Sequence, residues 1–176
     1  MTRKILAAVA LLLAAFLIYV ASRPGEFRVS RSITVAAPPS AVFPLVSDLR
    51  AFQTWSPWAK MDPQAKVTYE GPASGVGSSF TWQSAKTGEG TMALSENRQD
   101  EFIRFMLHFR KPFEGTNTAE FTFKPEGGGT VVTWSMHGRN NFIAKAVSMF
   151  MDCEKMIGGP FEQGLADLKT LAEAKP

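Results

Sequence analysis

No catalytic constellation stands out around the two histidines of this 176-residue chain, although its composition leaves a Ser-His-Asp set open. His108 falls on the polar side of a predicted strand, and His137 lies near the end of another. Neither has a second ligand-type residue at the short, regular spacing that zinc sites use. The chain also lacks the G-x-S-x-G motif of a nucleophile elbow. Both histidines are therefore interpreted as surface or hydrogen-bonded structural residues, and no metal or catalytic triad is predicted.

Proton-transfer chemistry would need an acid and a base that face one cavity. Glu70 together with Arg104 or His108 is the pair that the sequence offers for this role. The carboxylates Asp48, Asp62 and Glu70 are expected near the pocket mouth, where roles as helix caps or solvated side chains are favoured for all three. An enzyme therefore remains an alternative, but a non-enzymatic role is favoured.

Glycine, cysteine and charge patterns exclude several other functions. The segments 75–77 and 127–129 are glycine-rich but match neither dinucleotide nor P-loop spacing, so they predict turns and no cofactor. The one cysteine, Cys153, excludes an internal disulfide and is interpreted as a small helix residue.

The net charge of the chain is +3. Arg3 and Lys4 contribute two of these charges, and no dense basic cluster follows them in the sequence. Nucleic acid is therefore not an expected partner.

Large apolar side chains supply the remaining pattern that points to a site. They recur on the predicted inward faces of strands and helices, where plain core packing is the alternative for any single residue. Together they fit a pocket that selects by shape and apolarity, with tryptophan N–H groups available to orient a ligand. The predicted lining residues are Trp55, Trp58, Phe80, Trp82, Phe105, Phe109, Phe121, Trp134, Met136 and Phe161.

The N-terminus has the charge and hydropathy order of an export signal. Arg3 and Lys4 precede an uncharged apolar run over residues 5–21. As a helix this run would extend roughly 25 Å, close to the shortest length that crosses a bilayer. We expect residues 1–24 to form a retained single-pass anchor with the body outside the cytoplasm. Cleavage near Ser22, giving a secreted or periplasmic protein, is the alternative.

Apolar and polar residues alternate with a period of two in several short segments, which are separated by turn residues. This pattern predicts an antiparallel meander within one domain over residues 25–176. Two short helices are expected after the first strand, one with Ser40 as its N-cap and one capped by Asp48 and ended by Pro57. A helix is predicted over 142–151, and a break at 158–160 should start a new C-terminal helix at Pro160. The predicted strands cover residues 27–35, 66–70, 78–83, 91–98, 102–109, 119–123 and 130–137.

Four segments make residues 28–174 resemble the START-like superfamily, also called SRPBCC or polyketide cyclase/dehydrase-like. They are a strand-to-helix entry, a tryptophan-proline segment, a late strand and the start of the terminal helix. Their positions are 31–43 (RSITVAAPPSAVF), 49–63 (LRAFQTWSPWAKMDP), 132–138 (VTWSMHG) and 158–169 (GGPFEQGLADLK).

The resemblance implies an α+β helix-grip fold, in which about seven antiparallel strands wrap around a long C-terminal helix. Members hold lipids, sterols or polyketides in an internal cavity, and a minority are enzymes. We therefore expect a membrane-tethered domain that binds a lipid-like or aromatic small molecule. A polyketide cyclase or hydratase is the first alternative, and a protein-interaction module that uses the sheet surface is the second.

Overall fold

The computed structural model describes residues 2–149 and 153–174. Phe150 and Met151, which the sequence assigns to a helix, lie outside the described residues. The described elements, in chain order, are α1 (Thr2–Ser22), β1 (Glu26–Val35), α2 (Pro39–Ser47), α3 (Leu49–Trp55), α4 (Pro57–Met61), β2 (Lys66–Glu70), β3 (Ser79–Ser84), β4 (Gly88–Arg98), β5 (Phe102–Lys111), β6 (Gly115–Glu126), β7 (Gly129–Arg139), α5 (Phe142–Ser148) and α6 (Cys153–Glu173).

The seven strands form one antiparallel sheet in the order β1-β7-β6-β5-β4-β3-β2. Strands β2 to β7 follow each other as hairpins, and β1 adds to the far edge beside β7. Gly127 and Gly128 have φ values of 57° and 84° in the β6–β7 turn, a conformation that glycine adopts without steric cost. The α+β helix-grip prediction is confirmed.

One face of the sheet is apolar because side chains alternate along each strand. On β5, for example, Ile103, Phe105 and Leu107 are buried, whereas Met106 and His108 are exposed. The helices α2, α3, α4 and α6 cover this face, and their own apolar side chains complete the core. The outer face carries charged and hydroxyl side chains instead.

Two details of the predicted short helices are wrong. Helix α2 begins at Pro39, with Pro38 at the N-cap and without the side-chain cap that Ser40 was expected to supply. The reason is that proline fits the first helical position, where no N–H donor is needed. Pro57 ends no helix; it begins α4 directly after α3. The Asp48 cap is confirmed, since its carboxylate accepts from the backbone N–H of Arg50 and of Ala51, at 2.8 and 3.3 Å.

The expected helix break at Pro160 is also wrong, because α6 runs through it. Arg31 of β1 lies on the helix side of the sheet and forms ion pairs with Glu154 and Glu162, at 2.7 and 2.6 Å. These two carboxylates lie on either side of Pro160, so one guanidinium holds both halves of the helix. Gly158 leaves the space for it, since a Cβ there would overlap the Arg31 Nη2 atom.

Helix α1 is long and apolar enough to cross a membrane, with a mean hydropathy of 2.7, and a signal sequence passes the same test. Most of its side chains are exposed, but Val20 in the last turn is fully buried. The last turn packs against α5, where Lys145 donates from Nζ to the Ala21 carbonyl at 3.4 Å. The end of α1 therefore contacts the body.

Candidate ligand-binding cavity

A cavity of about 550 Å³ lies between the apolar face of the sheet and helices α3, α4 and α6. Its wall combines residues from β2 to β7 with residues from all three helices. The volume falls in the range of about 300–1,000 Å³ that small-molecule sites occupy. The fold therefore leaves a ligand-sized space in its core.

Eight of the ten residues predicted to line a pocket contact this cavity. They come from α4 and from strands β3, β5, β6 and β7, and all of them point toward the apolar side of the sheet. These residues are Trp58, Phe80, Trp82, Phe105, Phe109, Phe121, Trp134 and Met136. Whether they bind a ligand remains a prediction.

Trp55 and Phe161 are absent from the wall, and both are fully buried. The indole N–H of Trp55 donates to the Leu45 carbonyl at 2.8 Å, which ties α3 to α2. Phe161 stacks on Trp134, with 4.0 Å between ring centroids and 8° between ring planes. Both rings therefore support the cavity wall from behind.

Trp134 is the centre of the aromatic cluster that forms the deep end of the cavity. Its second face lies toward Phe121, at 4.9 Å between centroids, and the ring of Trp58 approaches it edge-on at 5.5 Å. Its indole Nε1 atom is buried and has no hydrogen-bond acceptor among the described residues. A buried donor without a partner is costly, so a ligand oxygen that reached this N–H would gain a hydrogen bond.

Sequence reasoning missed several lining residues, which share the inward side of a strand or helix with the predicted ones. The signal that could have found them is spacing. Those on strands lie two positions from a predicted residue or opposite one on the facing strand, and the two on helices, Phe52 and Ile157, lie three and four positions from Trp55 and Phe161. They include Phe52, Val67, Tyr69, Met92, Leu107, Ala119 and Ile157.

Polar groups are grouped where the cavity meets the β3–β4 turn. Asp62 lines the cavity and accepts from the Ser84 hydroxyl at 2.6 Å and from the Gln64 backbone N–H at 3.2 Å. The Ser84 hydrogen bond is the main cause that lowers the pKa of Asp62 below its usual value. Asp62 is therefore held as a carboxylate. Deeper in the cavity wall, partial burial raises the pKa of the Tyr69 hydroxyl.

The acid/base pair considered from the sequence does not line the cavity. Glu70 and His108 are exposed, and His108 contacts the Thr116 hydroxyl at 3.3 Å. Arg104 lies on the outer face, where it pairs with Glu96 and with Glu120. Across residues 2–149 and 153–174, no group of three or more His, Cys, Asp or Glu side chains is placed to hold a metal ion.

The geometry of a curved sheet closed by a long helix around a cavity agrees with the family comparison. Residues 26–173 match the model of a family described as polyketide cyclase / dehydrase and lipid transport. The chain belongs to this family. No curated protein matches the chain.

Solved structures share the fold of this polyketide cyclase/dehydrase and lipid transport family member at low sequence identity. Protein CV1439 from Chromobacterium violaceum is 19% identical, with a TM-score of 0.61, over 87% of this chain and 100% of its own. A Rhizobium leguminosarum protein is 14% identical, with a TM-score of 0.63, over 87% and 98%. DynU16, from the dynemicin biosynthetic locus, is 13% identical, with a TM-score of 0.57, over 84% of this chain and 47% of its own.

Proposed function

We propose that this protein is a non-enzymatic binding module that holds a hydrophobic small molecule in its cavity. The observation that carries the proposal is an open, ligand-sized space with a largely aromatic and aliphatic wall. Burying apolar ligand surface against such a wall contributes about 25 cal/mol per Å². The family description, which includes lipid transport, supports the same assignment.

The ligand is an apolar, lipid-like or aromatic molecule that carries a hydrogen-bond acceptor. A carbonyl or ether oxygen would accept from the unpartnered Nε1 of Trp134 at the deep end. The polar end of the ligand would lie near Asp62 and Lys86, at the opposite end of the cavity. One anchor within an apolar wall gives a site that selects mainly by shape.

The alternatives receive less support. A cyclase or hydratase would need an acid/base pair in the cavity, and Glu70, Arg104 and His108 all lie elsewhere. Asp62 does line the cavity, but its lowered pKa makes it a weak base. A protein-interaction module would need an apolar outer sheet face, whereas that face carries Arg104 and its paired glutamates.

The domain over residues 25–176 acts at a membrane, held there by residues 1–24 as a retained anchor. Helix α1 has 21 residues and would extend roughly 30 Å, the thickness of a bilayer core. Burial of Val20 against the body favours retention over cleavage near Ser22. The signal-like N-terminus favours a body outside the cytoplasm.

Binding is tested with the full chain in lipid nanodiscs, using N-phenylnaphthylamine, an uncharged apolar fluorophore. Ala119→Phe places a ring in the cavity, because Ala119 is buried and lines it. The variant should weaken probe binding about tenfold or more, which corresponds to about 1.4 kcal/mol.

The matched control is Ala93→Phe, since Ala93 lies on the outward side of β4, between the buried Met92 and Leu94. This variant should bind the probe like the wild-type chain. Thermal unfolding of both variants checks that the domain remains folded. Equal probe binding by Ala119→Phe and the wild-type chain would refute a ligand site in this cavity.

A further inference from the structure

The end of α1 and the polar mouth of the cavity lie at the same end of the sheet. Glu26, which starts β1, pairs with Arg139 at the end of β7. The same end of the sheet carries the β5–β6 turn, the paired residues Lys111 and Glu89, and the β3–β4 turn. We call it the anchor end. Lys86 and Thr87 of the β3–β4 turn line the cavity, so its mouth lies at the anchor end.

The connection between α1 and this end is too short to separate them. Three residues, 23–25, link Ser22 to Glu26, and even a fully extended link keeps these two residues within about 14 Å of each other. Tyr19 and Arg23 mark the end of the apolar helix, with the guanidinium 5.8 Å from the ring centroid. Aromatic and basic side chains favour the headgroup region of a bilayer. A membrane crossed by α1 would therefore hold the anchor end near its surface.

The anchor end exposes large apolar side chains close to α1. Phe142 and Ile143 of α5 are 45% and 54% exposed, and Phe113 of the β5–β6 turn is 49% exposed. The Asn141 side chain joins the two segments, since its Nδ2 donates to the Glu114 carbonyl at 3.3 Å. These three residues, Phe113, Phe142 and Ile143, form what we call the apolar rim.

The cavity mouth exposes two further apolar side chains. Met61 at the end of α4 is 44% exposed, and Met156 near the start of α6 is 54% exposed. Both also line the cavity, so they connect its interior to the surface. Flexible methionine side chains suit a passage for molecules of varied shape.

Charged groups at the anchor end include both signs. Arg23 and Arg139 are exposed, and Lys145 contacts the end of α1. Glu26 and Glu114 are the exposed acids beside them. Basic side chains next to an apolar rim are typical of surfaces that bind anionic lipid headgroups.

We infer that the apolar rim lies in the headgroup layer of the bilayer that α1 crosses, so that the cavity mouth opens onto the membrane and takes its ligand from it. The occupant of this surface is the lipid bilayer, because the rim is exposed and is continuous with the end of α1. The route of the ligand rests on the ligand binding proposed above, and the position of the rim rests on the retained anchor proposed above.

The rim's position is tested by fluorescence quenching with the full chain in nanodiscs of mixed zwitterionic and anionic phospholipids. Cys153→Ser removes the one native cysteine. Phe113→Cys or Ile143→Cys then carries an environment-sensitive fluorophore. The control is Val76→Cys, because Val76 is 60% exposed and lies in the β2–β3 loop at the other end of the sheet.

Headgroup-region spin-labelled lipid should quench the labels at 113 and 143 about threefold more than the label at 76. Equal quenching at all three positions would overturn the inference. A label that lipid does not quench, and that becomes more shielded from solvent as the protein concentration rises, would also overturn the inference. That result would indicate that a second copy of the chain covers the rim. Near-ultraviolet circular dichroism verifies that each labelled chain is folded.

The route of entry is tested by the rate at which N-phenylnaphthylamine, preloaded into the nanodiscs, reaches the cavity. Ile143→Ser should slow this rate about threefold without changing the equilibrium affinity, and Val76→Ser should change neither. An unchanged rate for Ile143→Ser would overturn entry at the rim. Quenched rim labels with no probe binding would uphold the rim's position and refute the proposed function. Probe binding with unquenched rim labels would support the proposed ligand binding and overturn the rim's position.

Discussion

The indole ring of Trp134 on β7 lies parallel to the ring of Phe161 on α6, with 4.0 Å between their centroids. This stack joins the last strand to the helix that closes the fold. The opposite face of the same indole lies toward Phe121, so the ring is held on both sides. Trp134 is therefore fixed in place, and its unpartnered Nε1 keeps one position relative to the cavity.

Trp134→Phe should weaken binding of an acceptor-bearing ligand without a large loss of stability. The variant removes an N–H that has no partner in the described protein, and phenylalanine retains much of the stacking with Phe161. A lost hydrogen bond of about 1 kcal/mol corresponds to roughly a fivefold rise in Kd. The measurement compares a carbonyl-bearing apolar probe with a hydrocarbon of the same size. An equal loss of affinity for both probes would contradict the proposed hydrogen bond from Trp134 Nε1 to the ligand.

Trp55→Phe is the matched control and should have the opposite outcome. It removes the hydrogen bond to the Leu45 carbonyl, which would remain buried without that donor. The free energy of unfolding should fall by about 1–3 kcal/mol, with the discrimination between the two probes unchanged. Urea unfolding and the same pair of probes measure both effects.

Gly158 and Gly159 should respond differently to alanine. Gly159→Ala meets no atom within 4 Å, so better helix propensity should stabilise the domain by about 1 kcal/mol. Gly158→Ala displaces the Arg31 guanidinium and weakens its ion pairs with Glu154 and Glu162, so the gain should be absent. Chemical denaturation of both variants measures the difference.

A double-mutant cycle isolates the cause of that difference. In the Arg31→Ala background no guanidinium lies over the helix, so Gly158→Ala should stabilise the domain as much as Gly159→Ala does. If the two alanine variants still differ in that background, the Arg31 contact is not the reason for glycine at position 158.

Acid should destabilise the domain through Asp62. Its pKa is lowered in the folded state, so its contribution to stability is present above the unfolded pKa of about 3.9 and is lost as the pH falls through the folded pKa. Ser84→Ala removes the largest cause of the shift. The variant should be less stable than the wild-type chain at neutral pH, and the difference should narrow toward pH of about 3.

Urea unfolding across this pH range measures the Asp62 effect. Glu173 supplies an internal reference, since its pKa is lowered by the backbone N–H of Ala36 and does not depend on Ser84. Some acid sensitivity should therefore persist in Ser84→Ala. A stability difference between Ser84→Ala and the wild-type chain that stays constant with pH would contradict the assignment.

Gly90→Ala should disturb the cavity wall. A Cβ at this position would overlap the ring of Trp82 and lie too close to the His108 carbonyl, so the strands or the indole must move. Overpacking of this kind costs about 1–3 kcal/mol. Gly115→Ala, with no atom within 4 Å of the added Cβ, is the control and should be neutral or stabilising. Thermal unfolding and tryptophan emission report the two effects.

The strands and the inward face of the sheet were predictable from the sequence because period-two alternation determines both. The residues 66–70 were predicted with the bounds that β2 has, and the seven lining residues on strands follow from parity. The apolar stripe of a helix does not tell how deep a residue lies, so Trp55 of α3 and Phe161 of α6 were assigned to the wall although they pack behind it.

Contacts between distant segments account for the remaining differences. Local helix rules predict a stop at Pro160, but Arg31, far away in the sequence, holds the helix together across it. The anchor end likewise depends on the β5–β6 turn meeting α5 through Asn141, which no local pattern encodes. Such contacts become visible only once the sheet order is known.

The pairing of β1 with β7 has a consequence for synthesis of the chain. β1 is the first strand to be made after α1, yet its one neighbour in the sheet is β7, the last of the seven strands. Its backbone N–H and C=O groups therefore stay without their strand partner until β7 has been made. Such an open edge attracts other chains. The alternating charges and hydroxyls on its outer side, among them Arg28, Ser30 and Ser32, would keep the nascent strand soluble during this interval.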